Sequence, residues 1–418
     1  MNAAVSTPET QIRQTTFQPL VAGESLSAEV FHRIRRTMLL DGCKWDPQVG
    51  DVSTLAPFPL YITSAEWSTL VGMAEALSAE ALAAEAEILQ RPELLKRLSL
   101  PGSIRKVLQS SPALTPAAAR VMRFDFHPTT EGWRISEVNS DVPGGYCEGS
   151  LFASLVSEQF PGTSPTGNPG DAVADAIIAA TRPGARIALL TAPGYMEDHQ
   201  VVSYVAKCLR ARGCQTYQAK PAQIIWREGH AYLPPQVCAE RMDGIFRFHQ
   251  AEWLAQLPRR SGWEHFFRGG QTPVTNPGTG IIAESKRFPL VWDDLRIPMS
   301  MWRQLLPETR DPREVPWRTD DGWLVKAAFC NTGDAVFGTA QQSTREWQRT
   351  KWHVRFFPND WVAQRRFESV PLATPDGDRH VCLGVYTVNG RAAGAYVRMA
   401  PKPLIDFAAY DVALLVRD

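Results

Sequence analysis

Two short patterns place side chains that can do chemistry close together. Arg123-Phe-Asp-Phe126 alternates, Pro128 to Gly132 makes a turn, and Trp133-Arg-Ile-Ser-Glu-Val138 alternates again, as the two arms of a β-hairpin do. On paired strands Arg123, Asp125, Glu137 and Asn139 share one face. Two carboxylates and an amide oxygen are hard donors of the kind Mg²⁺ takes, and they leave positions for phosphate oxygens and water. This is the layout expected for Mg²⁺ carrying ATP. A hairpin with a solvated polar outer face would leave the same pattern.

Cations follow later in the chain. Lys326 ends an expected strand, Trp323-Leu-Val-Lys326, and runs into Phe329-Cys-Asn-Thr-Gly-Asp334. Backbone N–H groups of such a turn, around Gly333, can cover phosphates while the lysine supplies a point charge. Taken alone, a strand-end lysine is more often solvent-exposed. Lys286, in Ala283-Glu-Ser-Lys286, precedes an apolar segment, and Arg398 follows a hairpin turn at Asn389-Gly390. The loop Asp141-Val-Pro-Gly-Gly-Tyr-Cys-Glu-Gly149 directly succeeds the proposed metal residues; its glycines allow either close approach of a ligand or a tight turn. His127 and the other histidines lack zinc-site spacing, and neither G-x-S-x-G nor a Walker A segment occurs. Zinc hydrolase, serine hydrolase and P-loop chemistries are therefore disfavoured.

These residues need elements to hold them. Thr63-Ser-Ala-Glu66 matches a capping box, and Trp67, Leu70, Val71, Ala74, Leu77, Ala81, Ala84 and Ile88 recur at helical spacing up to Pro92. After a Gly/Pro/Ser-rich break at 160–170, Arg186–Leu190, a helix over about His199–Arg212, and Gln215–Tyr217 predict a βαβ unit. Gly244–Phe248, Trp361–Gln364 and Val381–Val388 are further strand candidates. The aromatic segments at Trp253 and Trp263 to Phe267 are candidate interface material.

Composition narrows the class. The chain of 418 residues is 44% hydrophobic and carries 44 basic and 44 acidic side chains, so no global field draws it to nucleic acid or an anionic membrane. Seven scattered cysteines without a C-x-x-C pair read as free thiols in a reducing compartment. Met1 to about Ser25 lacks an apolar signal core. A cytoplasmic enzyme is expected.

Taken in order, Arg123-Phe-Asp-Phe126, Glu137-Val-Asn-Ser-Asp-Val-Pro143, Asp243-Gly-Ile-Phe-Arg-Phe-His-Gln-Ala-Glu-Trp253 and the Lys286 and Lys326 segments resemble the synthetase domain of glutathionylspermidine synthase, from about residue 120 onward. The resemblance implies an α/β (α+β) fold, a circularly permuted ATP-grasp with an inserted small βαβ pre-ATP-grasp-like subdomain. Permutation would explain why Glu137-x-Asn139 precedes Lys286. The expected division is a polar segment 1–25, a helical region with the metal-binding hairpin at 26–160, the small α/β subdomain at 171–280, and the lysine-containing part at 281–418. By the same resemblance Asp125, Glu137 and Asn139 would hold Mg²⁺, and Arg123 would contact the transferred phosphoryl group. Lys286, Lys326 and Arg398 would bind ATP phosphates, with Gly333 in the covering loop and Gln364 near the adenine hinge.

The implied reaction is attack of a substrate carboxylate on the γ-phosphate, then amine attack on the acyl phosphate to give an amide, ADP and phosphate. A small-molecule or peptide carboxylate and an amine would be the partners. Residues 330–338 are the candidate lid, with Gly333 and Gly338 as hinges. The sequence departs from the family's pattern at Asn331, where an arginine is usual, and no amidase domain precedes the ligase-like region. A small-molecule kinase and a non-catalytic scaffold of the same fold remain alternatives.

Overall fold

The computed structural model describes residues 17–46, 48–49, 52–110, 119–329, 336–337, 344–405 and 409–418. The expected hairpin forms. Strands Val121–Thr129 and Gly132–Asn139 pair antiparallel, with Arg123 opposite Asn139 and Asp125 opposite Glu137. A bulge beyond Asp125 moves Phe126 opposite Ile135, and such an extra residue re-aims the side chains beside it. Later strands complete the sheet in the order Tyr410–Val412, Arg391–Ala400, Gly377–Val388, Val121–Thr129, Gly132–Asn139. The turn between Gly377–Val388 and Arg391–Ala400 puts Asn389 and Gly390 at φ 50° and 79°, the left-handed pair that a tight hairpin needs.

One face of this sheet carries Met122, Phe124, Phe126, Leu383, Val385 and Val397. They share a core with Leu70, Ala74, Leu77 and Ala81 of the long helix Ser64–Leu89. Thr63 caps that helix, its hydroxyl accepting from the Glu66 N–H at 3.2 Å. The reciprocal half of the capping box is replaced: the Glu66 carboxylate accepts from the Trp133 indole at 2.5 Å, tying the helix start to the hairpin. The other face is covered too. Arg123, Asp125 and His127 are 6%, 1% and 5% exposed, so this polar row is not a solvated hairpin surface.

The βαβ unit is present as Arg186–Thr191, Met196–Ala211 and Gln215–Ala219. Its helix begins before His199, with Glu197 and Asp198 in the first turn, where acidic side chains suit the helix dipole. Gly244–Phe248 and Val274–Thr275 extend this sheet, and all its pairings are parallel. Trp263, Phe266 and Phe267 are buried and join the core rather than offering an interface.

A third sheet runs Thr309–Arg310, Trp361–Arg365, Trp323–Ala327, Val336–Phe337. It has its own core of Trp317, Trp323, Val325, Trp347, Val354 and Trp361. Arg287 pins it to the body, donating to Arg97 O at 2.7 Å, Trp361 O at 2.7 Å and Asp311 Oδ2 at 2.9 Å. A fourth sheet joins Val21–Ala22, Leu60–Ile62, Leu414–Val416 and Ser164–Pro165, so the stretch expected as a polar N-terminal segment contributes a strand. Among the described residues no helix is long and apolar enough to cross a membrane, and the six cysteines are unbridged.

Burial alone would raise the Asp311 carboxyl, but Arg313 and Arg287 hold it at about 2, below its ordinary 3.8. Its contribution to stability is therefore fully present above pH 3.8 and is lost as pH falls through about 2. Asp311→Ala, which leaves Arg287 buried without its carboxylate, should lower unfolding stability at pH 7 by about 3–5 kcal/mol in chemical denaturation. The gap between wild type and variant should narrow, without closing, as the pH is taken from about 4 to about 2.

Candidate functional site

The hairpin sheet and the small third sheet face each other across an open cleft enclosing about 830 Å³ of space, solvent included. Asp125, His127, Ser136, Glu137, Cys382 and Arg398 line it from one sheet, and Leu324, Lys326, Gln364 and Arg365 from the other. Alternation sends Asp125, His127 and Lys326 inward while Phe124, Phe126 and Val325 fill the cores, and the bulge lets the consecutive Ser136 and Glu137 both reach the cleft.

Asp125 is the hub. Its oxygens accept from Arg123 Nε at 2.8 Å and Nη2 at 3.0 Å, from Arg398 Nη2 at 3.0 Å and from Asn139 Nδ2 at 3.3 Å. Burial pushes its carboxyl up, but Arg123 and Arg398 outweigh this and hold it below its ordinary value. The arginine reaches this position because residue 384 has no side chain: a Cβ there would lie 2.6 Å from Arg123 Cδ and 2.7 Å from its Nε. Glu137, which burial also raises, is brought below its usual range by Lys286, whose Nζ lies 3.1 Å from Oε2.

The two lysines come from segments far apart in sequence and meet here. The Lys286 backbone N–H donates to Ala328 O at 2.9 Å, beside the strand carrying Lys326, and Lys326 Nζ donates across the cleft to Ser136 O at 3.2 Å. Gln364 turns its amide to Thr309 Oγ1 at 2.9 Å. His127, driven down to about 4 by burial, is neutral at pH 7 and bonded to Ser136 Oγ at 3.0 Å. Gly333, Asn331 and most of the candidate lid lie outside the described residues; within it, Val336–Phe337 pairs with Val325 and Lys326.

The donor set suits Mg²⁺ by type and adjacency, since Asp125 and Glu137 are directly opposed across the two strands. Among the described residues no group of three or more His, Cys, Asp or Glu could hold a metal ion. A cation here would thus depend on Asn139 and on ligand oxygens, and it would replace Arg or Lys contacts on the two carboxylates.

Several residues that support the site were not singled out from the sequence. Arg247 is fully buried and donates to Asp141, to His249 O and, at 3.0 Å, to Asn276 O. Asp141 also accepts from Ala251 N at 2.7 Å, so the loop after Asn139 is bolted to the parallel sheet. An arginine inside the apolar strand Gly244–Phe248 was the available signal. The 141–149 loop approaches protein closely: Gly144 O accepts from Arg123 Nη1 at 2.8 Å and from Tyr386. At Gly145, φ is +95° and a Cβ would meet the Tyr396 ring at 2.4 Å.

Glu284 accepts from Ser140 N at 2.6 Å and Asp141 N at 3.1 Å. Burial pushes its carboxyl up to about 7, with Lys286 opposing and Asp141 and Glu137 adding to the rise. The folded state therefore holds this proton above the pH at which the unfolded chain releases it, so stability falls as pH rises from about 4.5 to about 7. Glu284→Gln keeps an oxygen for both N–H groups; its melting temperature should match wild type near pH 4.5 and exceed it above pH 7.

A sequence model of the glutathionylspermidine synthase preATP-grasp family matches residues 40–416. No curated protein matches the chain. Among solved structures, a glutathione synthetase like-effector from Globodera pallida in apo form aligns with a TM-score of 0.64 at 12% identity, covering 93% of this chain and 96% of that one. A putative γ-glutamylcysteine synthetase from Methylobacillus flagellatus KT aligns with a TM-score of 0.42 at 13% identity, over 79% of this chain and 85% of that one. The first likeness shows a shared mixed α/β fold of several sheets. With nearly the whole chain matched by one family model, this protein belongs to the glutathionylspermidine synthase preATP-grasp family.

Proposed function

We propose that the protein is an ATP-dependent carboxylate–amine ligase that makes an amide through an acyl phosphate and releases ADP and phosphate. The observation that carries this reading is the convergence of Asp125, Glu137, Arg398 and Lys326 on one cleft between two sheets, with Arg123 and Lys286 ion-paired to the two carboxylates. Cations outnumber carboxylates there, as recognition of a polyanion requires.

In this reading the nucleotide lies between the sheets. Lys326, Lys286 and Arg398 bind its phosphates, and Gln364 lies by its base. Asp125, Glu137 and Asn139 would hold Mg²⁺, which would supply charge neutralisation to the phosphates. Arg123 faces the transferred phosphoryl group. Bringing a substrate carboxylate against a triphosphate is repulsive, so these residues act by positioning and by offsetting charge as it develops. The family's circular permutation accounts for the carboxylate hairpin preceding the lysines, with residues 171–280 as the pre-ATP-grasp-like unit and 281–418 completing the nucleotide site. A small-molecule or peptide carboxylate and an amine are the substrates.

Calorimetric titration of Mg-ATP tests the site without a choice of substrates. Wild type should bind, and Lys326→Ala should bind ~10-fold or more weakly, a loss of about 1.4 kcal/mol. Folded wild type that does not bind would remove the ligase reading and favour a scaffold.

A further inference from the structure

We infer that Tyr396 is a positioning residue for the two site arginines, held in place by a buried ion cluster of Asp411, Lys44 and Glu148. This rests on the nucleotide reading above and deepens it. The Arg123 guanidinium carbon lies 5.3 Å from the centre of the Tyr396 ring and that of Arg398 lies 5.6 Å from it, so a single ring meets both cations. Two guanidiniums sharing one carboxylate repel each other, and the electron-rich face of an aromatic ring is a second attractive partner that keeps both in place.

Strand register explains how the ring reaches them. Tyr396 pairs with Gly384, and Gly384 pairs with Asp125, so the three form one row across the sheet. The missing side chain in the middle of that row leaves the space that Arg123 occupies between the carboxylate and the ring. Gly145 clears the ring's other contact, where any Cβ would overlap it.

The ring's far end is anchored. Burial keeps the Tyr396 hydroxyl protonated, and it donates to Asp411 Oδ1 at 2.7 Å. Asp411 Oδ2 lies 3.2 Å from Lys44 Nζ, which in turn meets Glu148 Oε1 at 2.8 Å. A residue needed only for packing would have no use for this chain of buried charges, which is costly unless fully paired. It fixes the height of the ring and, through the ring, the reach of Arg123 and Arg398 toward a bound terminal phosphate.

Calorimetric binding of Mg-ATP and Mg-ADP to wild type, Tyr396→Leu and Tyr396→Phe tests the inference. Wild type should prefer ATP. Tyr396→Leu should lose ~10-fold of that preference with ADP binding changed less than ~2-fold, and Tyr396→Phe, which keeps the ring but not its hydroxyl anchor, should lose only ~3-fold. Equal losses for both nucleotides, or an unchanged preference, would overturn the inference. So would a wild type that binds both nucleotides equally, although the nucleotide site itself would stand; a wild type that binds neither removes that reading as well. Should Tyr396→Leu fail to fold, Asp411→Asn makes the same comparison, with a loss of ~3-fold in preference expected and no loss overturning the inference.

Discussion

A carboxylate that is 1% exposed cannot remain ionised in a protein interior unless cations and donors surround it, and Asp125 sets that demand at the centre of this molecule. Its partners come from three strands: Arg123 from its own, Asn139 from the next, and Arg398 from a strand near the other end of the chain. Once they are gathered, further placements follow. Position 384 must lack a side chain, the 141–149 loop must offer the carbonyl of Gly144, and the hairpin must bulge beyond Asp125 so that Ser136 faces the cleft. Each anion of the site is thus answered by cations of the protein itself.

Much of this was legible in the sequence, for identifiable reasons. Period-two alternation on both sides of a turn predicts the 121–139 hairpin and the shared face of its polar residues. Apolar spacing and a capping threonine predict the Ser64–Leu89 helix, and the Asn389-Gly390 pair predicts its turn. These signals are local, so one segment suffices to read them. Order along the chain carried the family resemblance, which the match over residues 40–416 bears out.

What could not be read depends on contacts between distant segments. Nothing in Ala283-Glu-Ser-Lys286 says that its lysine will lie beside Glu137, because the link runs through a backbone bond to Ala328. Gly384 reads as a weak spot in a strand until Arg123 is seen lying across it. Glu66 reads as the second half of a capping box, yet its carboxylate serves Trp133 in the neighbouring hairpin. The buried Asp141–Arg247 pair joins residues more than a hundred positions apart, and a charged residue in an apolar strand was its sole trace. The fate of Gly333 and its loop lies outside the described residues.

The sheet that holds the site joins segments more than two hundred residues apart, and this gives the protein an order of birth. During synthesis Asp125, Glu137 and Asn139 leave the ribosome early and wait for the strands Gly377–Val388 and Arg391–Ala400 that pair beside them. Until those emerge the Val121–Thr129 strand has an unpaired edge, the kind of surface that seeks partners on other chains. Contacts this distant in sequence also slow folding, since a long loop must close before they can form. The site is therefore completed late, and a nascent chain halted before Arg398 holds Asp125 with only one of its two arginine partners, Arg123.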